Sequence, residues 1–468
     1  MNRADPTDPT ALAELTDLGD LGDDFTWGVA TAAFQIEGSP SADGKGPSIW
    51  DTFTHRRDRH GRTPIKDGTT ADVATDSYRR YRQDIALVKA MGFDAYRFSL
   101  SWPRIMPTGS RPVNQRGLDH YSRVVDACLE AGVEPWVTLF HWDLPQGLQD
   151  RAGWPDRDVV ARFCDYVGVV AQALGDRVRH WMLFNEPLNI AISGHLTATM
   201  APGRRSLPAY LATMHHVNLA TGLGSGLLRD AVPHASIGTT NYVTPPLGSG
   251  PGPLAAVAER AADAVLNRAF LEPLLGLGYP WREAPILNGV RRYLRDGDDA
   301  DVVADLDFLG VQYYTRLRAP FLPIPGLWTL PRFGGAEHGN ELTSLGWEIM
   351  PEGLGLVLDA VHAYGAFERI VVTEGGASFP DELVDGRVHD DRRIEYYRSH
   401  LAQVAGARAR GVPVDGYFAW SLLDNFEWAE GLEPRFGLVH VDYDTQVRTI
   451  KDSGYWFAEQ LGGTAASG

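Results

Sequence analysis

Eight short runs of apolar, β-branched and aromatic residues recur along the chain, separated by longer stretches whose apolar positions fall at helical spacing. The runs are residues 25–34, 93–102, 134–140, 179–185, 235–243, 306–315, 369–375 and 414–423. Within them apolar residues follow one another with little alternation, as in EPWVTLF (134–140) and RIVVTEG (369–375). A strand without polar alternation is covered on both faces, the condition of a parallel sheet flanked by helices. The segments 76–92, 118–132, 155–176 and 390–411 supply such helices, and several stop at a Gly after a charged last turn. Eight repeats of this kind predict an α/β fold, a single-domain (β/α)8 TIM barrel with enlarged βα loops over 23–463. Flexible tails are expected at 1–22 and 464–468. A doubly wound open sheet is the alternative, but VATAAFQIEG after the first run lacks the glycine spacing of a phosphate-binding turn.

Charge and cysteine content narrow the function classes. The 468 residues carry 43 Lys and Arg against 60 Asp and Glu, a net charge of −17. That balance argues against a nucleic-acid partner and an anionic membrane surface, and suits neutral ligands. No apolar run approaches membrane-spanning length, and the Asp-punctuated N-terminus does not read as a signal peptide. Cys128 and Cys164 are the only cysteines, too few for a disulfide framework or a zinc ligand set. A reducing, cytoplasmic setting is therefore expected, with no metal and no cofactor.

The candidate chemistry sits where the runs end. A parallel barrel opens all its strand ends on one face, so residues far apart in sequence meet there. Glu186 follows the fourth run and Glu374 ends the seventh. Around them the same rule gathers Gln35 and Glu37, Arg97, His141 and Trp142, Asn185, Asn241 and Tyr242, Gln312 with Tyr313 and Tyr314, and Trp420 with Glu427 and Trp428. Amides, indoles and carboxylates of this kind can grip several hydroxyls and stack on a sugar ring. Two carboxyl groups among them could divide the breaking of a glycosidic bond.

Seven segments then carry a specific resemblance: FTWGVATAAFQIEG, YRFSLSWPRI, HWDLPQ, FNEP, VTEGG, WSLLDNFEW and RFGLVHVDY, in that order over residues 25–443. The chain resembles glycoside hydrolase family 1, the retaining β-glucosidase family. The resemblance implies an exo-acting enzyme that removes terminal β-glucosyl residues by double displacement, with galactosyl or fucosyl side activity. Its substrate would be a small β-glucoside or short oligosaccharide, and a homo-oligomer is left open. Glu186 matches the general acid/base, Glu374 the nucleophile, Arg97 and Tyr314 the partners of the nucleophile, and Asn185 the amide that meets the sugar 2-hydroxyl. Gln35, His141, Glu427 and Trp428 match grips on the sugar, Trp420 its stacking floor, and Trp347 in GWEI a wall of the aglycone site. Trp142, Gln312 and Phe436 complete the substrate-binding set. In such enzymes the two carboxyl groups stand about 5–5.5 Å apart, and a gap beyond about 7 Å would admit a water and defeat the scheme.

Departures from the family pattern bear on hydrogen bonding and substrate preference. Gln312 and Gly375 each stand where Asn is usual, and Thr221 stands where His is common. Other readings remain beside this one. Glu186 also suits a helix start before Pro187, and a bonded core histidine is the lesser reading of His141. A transglycosylase would use the same two glutamates, and a sugar-binding barrel without turnover is a further alternative. A metal-dependent hydrolase would need His141, Asp143, His180, His215 or His216 to converge. An apolar entrance is expected at Phe321, Leu327, Trp328 and Phe333.

Overall fold

The computed structural model describes residues 21–248, 252–319, 332–333 and 339–466. Eight parallel strands close into a barrel in sequence order. They are β1 (Thr26–Ala30), β2 (Ala95–Ser99), β3 (Glu134–Phe140), β4 (His180–Asn185), β5 (Ser236–Tyr242), β6 (Phe308–Gln312), β7 (Ile370–Gly375) and β8 (Val414–Trp420). Helices cover the outside: α1 (Ser77–Ala90), α2 (Gln115–Glu130), α3 (Asp158–Leu174), α4 (Leu207–Ala231), α5 (Pro253–Asp263), α6 (Glu352–His362), α7 (Asp391–Ala409) and α8 (Asp452–Leu461). Nearly every strand residue is buried, as expected for strands sandwiched between a filled barrel and a coat of helices.

The expected runs are longer than the strands they contain. The first run, read to residue 34, turns into a short buried helix at Ala33–Ile36, and the second, read to residue 102, meets another at Trp102–Ile105. Every residue of both is buried, Gln35 and Arg104 included, and a short buried run does not by itself distinguish a strand from a helical turn. Residues near both ends of the described chain touch the body of the fold. Leu21 is buried in the core, and the amide of Ala465 donates to the Ala90 carbonyl at 2.9 Å.

The barrel floor is closed by aromatic rings. Trp136 packs against Phe308 and Phe418, with centroids 5.5 and 4.9 Å away, and stacks on His180 at 4.0 Å. Two strand glycines make the room. A Cβ on Gly28 would lie 2.2 Å from the Phe418 ring, and one on Gly238 would lie 2.4 Å from that of Phe308. With the floor plugged, polar side chains are left to the opposite, C-terminal mouth.

Candidate active site

At that mouth Glu374, the fifth residue of β7, is 3% exposed and held by two donors. Arg97 from β2 donates Nη1 to its Oε1 in a short ion pair, and the Tyr314 hydroxyl donates to Oε2 at 2.6 Å. The other arm of Arg97 reaches Asn185 Oδ1 at 2.6 Å, where the Gln312 amide also donates at 2.8 Å. Gln312 thus serves the 2-hydroxyl candidate Asn185, orienting it so that its amide nitrogen faces away from both donors.

Glu186 occupies the junction between β4 and a short helix, Pro187–Ala191. It does stand at the start of that helix, but its carboxylate caps nothing. Its backbone is left-handed, with φ 45° and ψ 71°, and its amide donates to the Thr240 carbonyl at 2.8 Å. The Asn189 amide, one turn on, donates to Glu186 Oε2 at 2.8 Å. Trp142 (φ 77°) and Trp428 (φ 47°) share the left-handed region. Such backbones cost roughly 1–3 kcal/mol each and gather at functional sites.

The two carboxyl groups feel different surroundings. Burial, and then the charge of Glu374, raises the pKa of Glu186 to about 8, opposed by its one hydrogen-bond donor, the neutral Asn189 amide, and then by the unbonded charge of Arg97. Burial also raises Glu374, but Arg97 and then the Tyr314 hydroxyl oppose it. A guanidinium bonded to one carboxylate and an amide bonded to the other set the order of ionisation: Glu374 loses its proton first, and Glu186 keeps its own. A third carboxyl group, the half-buried Glu427, is raised to about 8 by burial and then by Glu374.

Around this pair lies hydrogen-bonding capacity that the protein leaves unused. Gln35 donates Nε2 to Asn425 Oδ1, the Phe426 carbonyl and Glu427 Oε2 at 2.9, 2.9 and 3.2 Å. Yet Gln35 Oε1, His141 Nδ1, Asn185 Nδ2 and Gln312 Oε1 are buried without partners. Burial, and then Arg97, keeps His141 far below its usual pKa, so its ring is neutral and can both donate and accept. Buried polar atoms are rarely left alone, and a polyhydroxylated ligand would satisfy these together. Trp428 forms the aromatic side, 4.4 Å from Trp142, 4.7 Å from Trp50 and 5.6 Å from His141, with Trp420 6.2 Å from His141. Trp347 packs 5.7 Å from Tyr314 and 6.2 Å from Phe436, which brings the wall residue and the nucleophile's partner together.

Other candidates separate. His180 pairs with Glu134 at 3.1 Å on the barrel floor, His215 with Asp298 at 2.8 Å, and His216 with the Trp154 carbonyl at 2.8 Å. Glu37 leaves the site to bind Arg104 at 2.8 Å and the Tyr121 hydroxyl at 2.6 Å, and the Tyr313 hydroxyl donates to the Met350 carbonyl at 2.7 Å. Phe321, Leu327 and Trp328 lie outside the described residues, as does the Phe333 side chain. Asn189 and Asn425 were not anticipated. For Asn189 the signal was present, since it stands three residues after Glu186 at a Pro-marked helix start.

Comparison with known proteins agrees with this geometry. The family model "Glycosyl hydrolase family 1" matches residues 19–462. A 1,4-beta-D-glucan glucohydrolase of Thermotoga neapolitana is 41% identical over 455 residues, covering 93% of this chain and 97% of that protein. A bifunctional beta-D-glucosidase/beta-D-fucosidase of Bifidobacterium breve is 40% identical, covering 92% and 96%. The solved family 1 b-glucosidase from Thermotoga maritima superposes with a TM-score of 0.88 at 40% identity, covering 96% of this chain and 99% of that one. The chain belongs to glycosyl hydrolase family 1, and it is a glycoside hydrolase built on a (β/α)8 barrel.

Proposed function

We propose that the protein is a retaining exo-β-glucosidase in which Glu374 is the nucleophile and Glu186 the general acid/base. The observation that carries this reading is the unequal support of the two carboxyl groups. Glu374 is clasped by Arg97 and Tyr314, whereas Glu186 has only Asn189 and a pKa raised to about 8. In the first step ionised Glu374 bonds to the anomeric carbon while the Glu186 proton passes to the glycosidic oxygen, and the aglycone leaves as an alcohol. In the second, Glu186, now ionised, takes a proton from water as that water attacks the anomeric carbon and frees Glu374. Arg97 and Tyr314 keep the nucleophile charged, and neutral Asn185 Nδ2 is free for the sugar 2-hydroxyl, where contacts strengthen in the transition state.

Glucose is the first choice of sugar, because the relatives bear the names of enzymes acting on β-glucosides and β-glucans. Fucosyl side activity is supported by the name of the Bifidobacterium relative. The substrate is a small β-glucoside or short oligosaccharide, handled in the cytoplasm, where Cys128 and Cys164 stay reduced. The test is a panel of aryl β-glycosides with the product followed by proton NMR. Hydrolysis should be fastest on the glucoside, and the β-anomer of glucose should appear first. Early accumulation of the α-anomer would show a single displacement and end this reading.

A further inference from the structure

Outside the barrel wall, between β5 and α6, lies a cavity of about 410 Å³. Val243, Leu271, Val357 and Val361 line it, and Leu356, 48% exposed, stands at its mouth. Strand alternation separates it from the site already described. The Thr240 hydroxyl meets that of Thr373 at 3.1 Å inside the barrel, and the Tyr242 ring lies 6.3 Å from Tyr314 on the same side. Asn241, between them, faces the other way and lines the cavity.

Asn241 is 5% exposed, and its Oδ1 has no hydrogen-bond partner. Its polar neighbours are already engaged. The Asn267 amide bridges the Thr244 carbonyl and Asp263 Oδ1 at 2.9 and 2.8 Å, and Arg268 and the Tyr364 hydroxyl both reach Glu272 Oε1, at 2.7 and 3.3 Å. A space of this size, apolar on most sides and lined by a residue whose buried acceptor is unanswered, has the make-up of a small-molecule site. A charged ligand would lose its hydration against the apolar wall, and the two lining ions already have partners, Arg268 in Glu272 at 2.7 Å and Asp263 in the Asn267 amide at 2.8 Å.

We propose that this cavity is a second ligand site for an uncharged amphiphile. The ligand would be an aryl or branched-alkyl alcohol whose apolar body rests on Leu271, Val357 and Val361 while its hydroxyl donates to Asn241 Oδ1. Alcohols released from glycosides belong to this chemical class. The site also lies one residue from the catalytic wall, because Tyr242 and Thr244 both donate to the carbonyl of Thr315, at 3.4 and 3.0 Å, next to Tyr314.

The proposal is tested by titrating 2-phenylethanol into the full-length protein, with and without saturating glucose, and reading binding by calorimetry and saturation-transfer NMR. One molecule should bind per chain in both conditions. Ala360→Trp, a substitution at an exposed position of α6 on the cavity rim, should weaken it by at least about tenfold. Ethylbenzene should bind more weakly than the alcohol, and that preference should vanish in Asn241→Leu. Binding abolished by glucose, binding indifferent to Ala360→Trp, or no binding at millimolar probe would each overturn the assignment.

Discussion

Asp424 and Glu427 stand three residues apart after β8, and their carboxyl groups are driven in opposite directions. Asp424 is fully buried and accepts from Lys451 Nζ at 2.7 Å, Arg435 Nη1 at 2.9 Å and the Gly437 amide at 3.0 Å. The cluster continues through Arg393, which binds Asp381 at 2.8 Å and Asp390 more closely, and through Lys451, which also binds Asp381. Three cations face three carboxylates. Burial works to raise the pKa of Asp424, but Lys451 and Arg435 outweigh it and hold the group below its ordinary value. Glu427 faces the other way, toward Glu374, and burial and that charge lift it to about 8. Among the described residues, the one cation bonded to any of Glu186, Glu374 and Glu427 is Arg97. A balanced cluster has every charge answered and serves the scaffold. An unbalanced one holds protons at neutral pH, which is what acid/base chemistry uses.

The sharpest break comes at the unbalanced site. Glu374→Gly should lower kcat on an aryl β-glucoside by about 10⁵-fold or more, the scale seen when an enzyme loses its nucleophile. Added azide should restore turnover by entering the vacated space and attacking the anomeric carbon, leaving an α-glycosyl azide detectable by NMR. A Gly variant that azide does not rescue would mean that Glu374 is not the attacking group.

The balanced cluster should respond in stability instead. Asp424→Asn leaves Lys451 and Arg435 without their shared anion and should cost about 3–5 kcal/mol, read as a lower urea midpoint. Its kcat/KM should be unchanged while it remains folded. Glu427→Gln should do the reverse, lowering kcat/KM through lost contact with the sugar while raising the midpoint. For an acid whose folded pKa is raised, the favourable contribution is complete below the unfolded pKa and lost as pH climbs through the folded one. The gain from Glu427→Gln should therefore be small at pH 5 and grow to several kcal/mol, on the order of 4, by pH 8. Equal behaviour of the two variants would erase the distinction between the clusters.

How much of this could be read from residues alone follows the same division. Glu186 and Glu374 were legible because each is an acid at the end of an apolar run, and a closed parallel barrel leaves such ends nowhere else to go. Gln35, His141, Asn185 and Tyr314 were legible by the same rule. The Asp424 cluster was not. Its partners come from residues 381, 390, 393, 435 and 451, on a loop, a helix and two further segments with no shared periodicity. Charges that pair across such separations look, in sequence, like ordinary surface charges. The last residues of the first two runs, 33–34 and 102, were misread because the helical turns they open are buried throughout, which erases the period that tells helix from strand. The cavity beside Asn241 was hidden for a related reason. Asn241 and Tyr242 were placed together at one strand end, and only the pleat sends them to opposite faces.

The smallest effect expected is also the most specific to the electrostatic account. Tyr314→Phe removes one hydroxyl that donates at 2.6 Å to Glu374 and leaves the ion pair with Arg97 in place. That bond favours the ionised form, so its loss should raise the pKa of Glu374, by about one unit if the hydroxyl is worth what a bond to a charged group usually is. Ionised Glu374 is required for attack, so the acid limb of kcat/KM against pH should move to higher pH by that amount. The alkaline limb reports the proton on Glu186. Near that limb Glu374 is already ionised in both proteins and exerts the same charge on its neighbour, so that limb should stay in place. The profile should narrow from the acid side alone. A variant whose two limbs moved together, or whose rate fell with neither limb displaced, would show that Tyr314 only packs the pocket wall beside Tyr242 and Trp347. The order of ionisation would then rest on Arg97 alone.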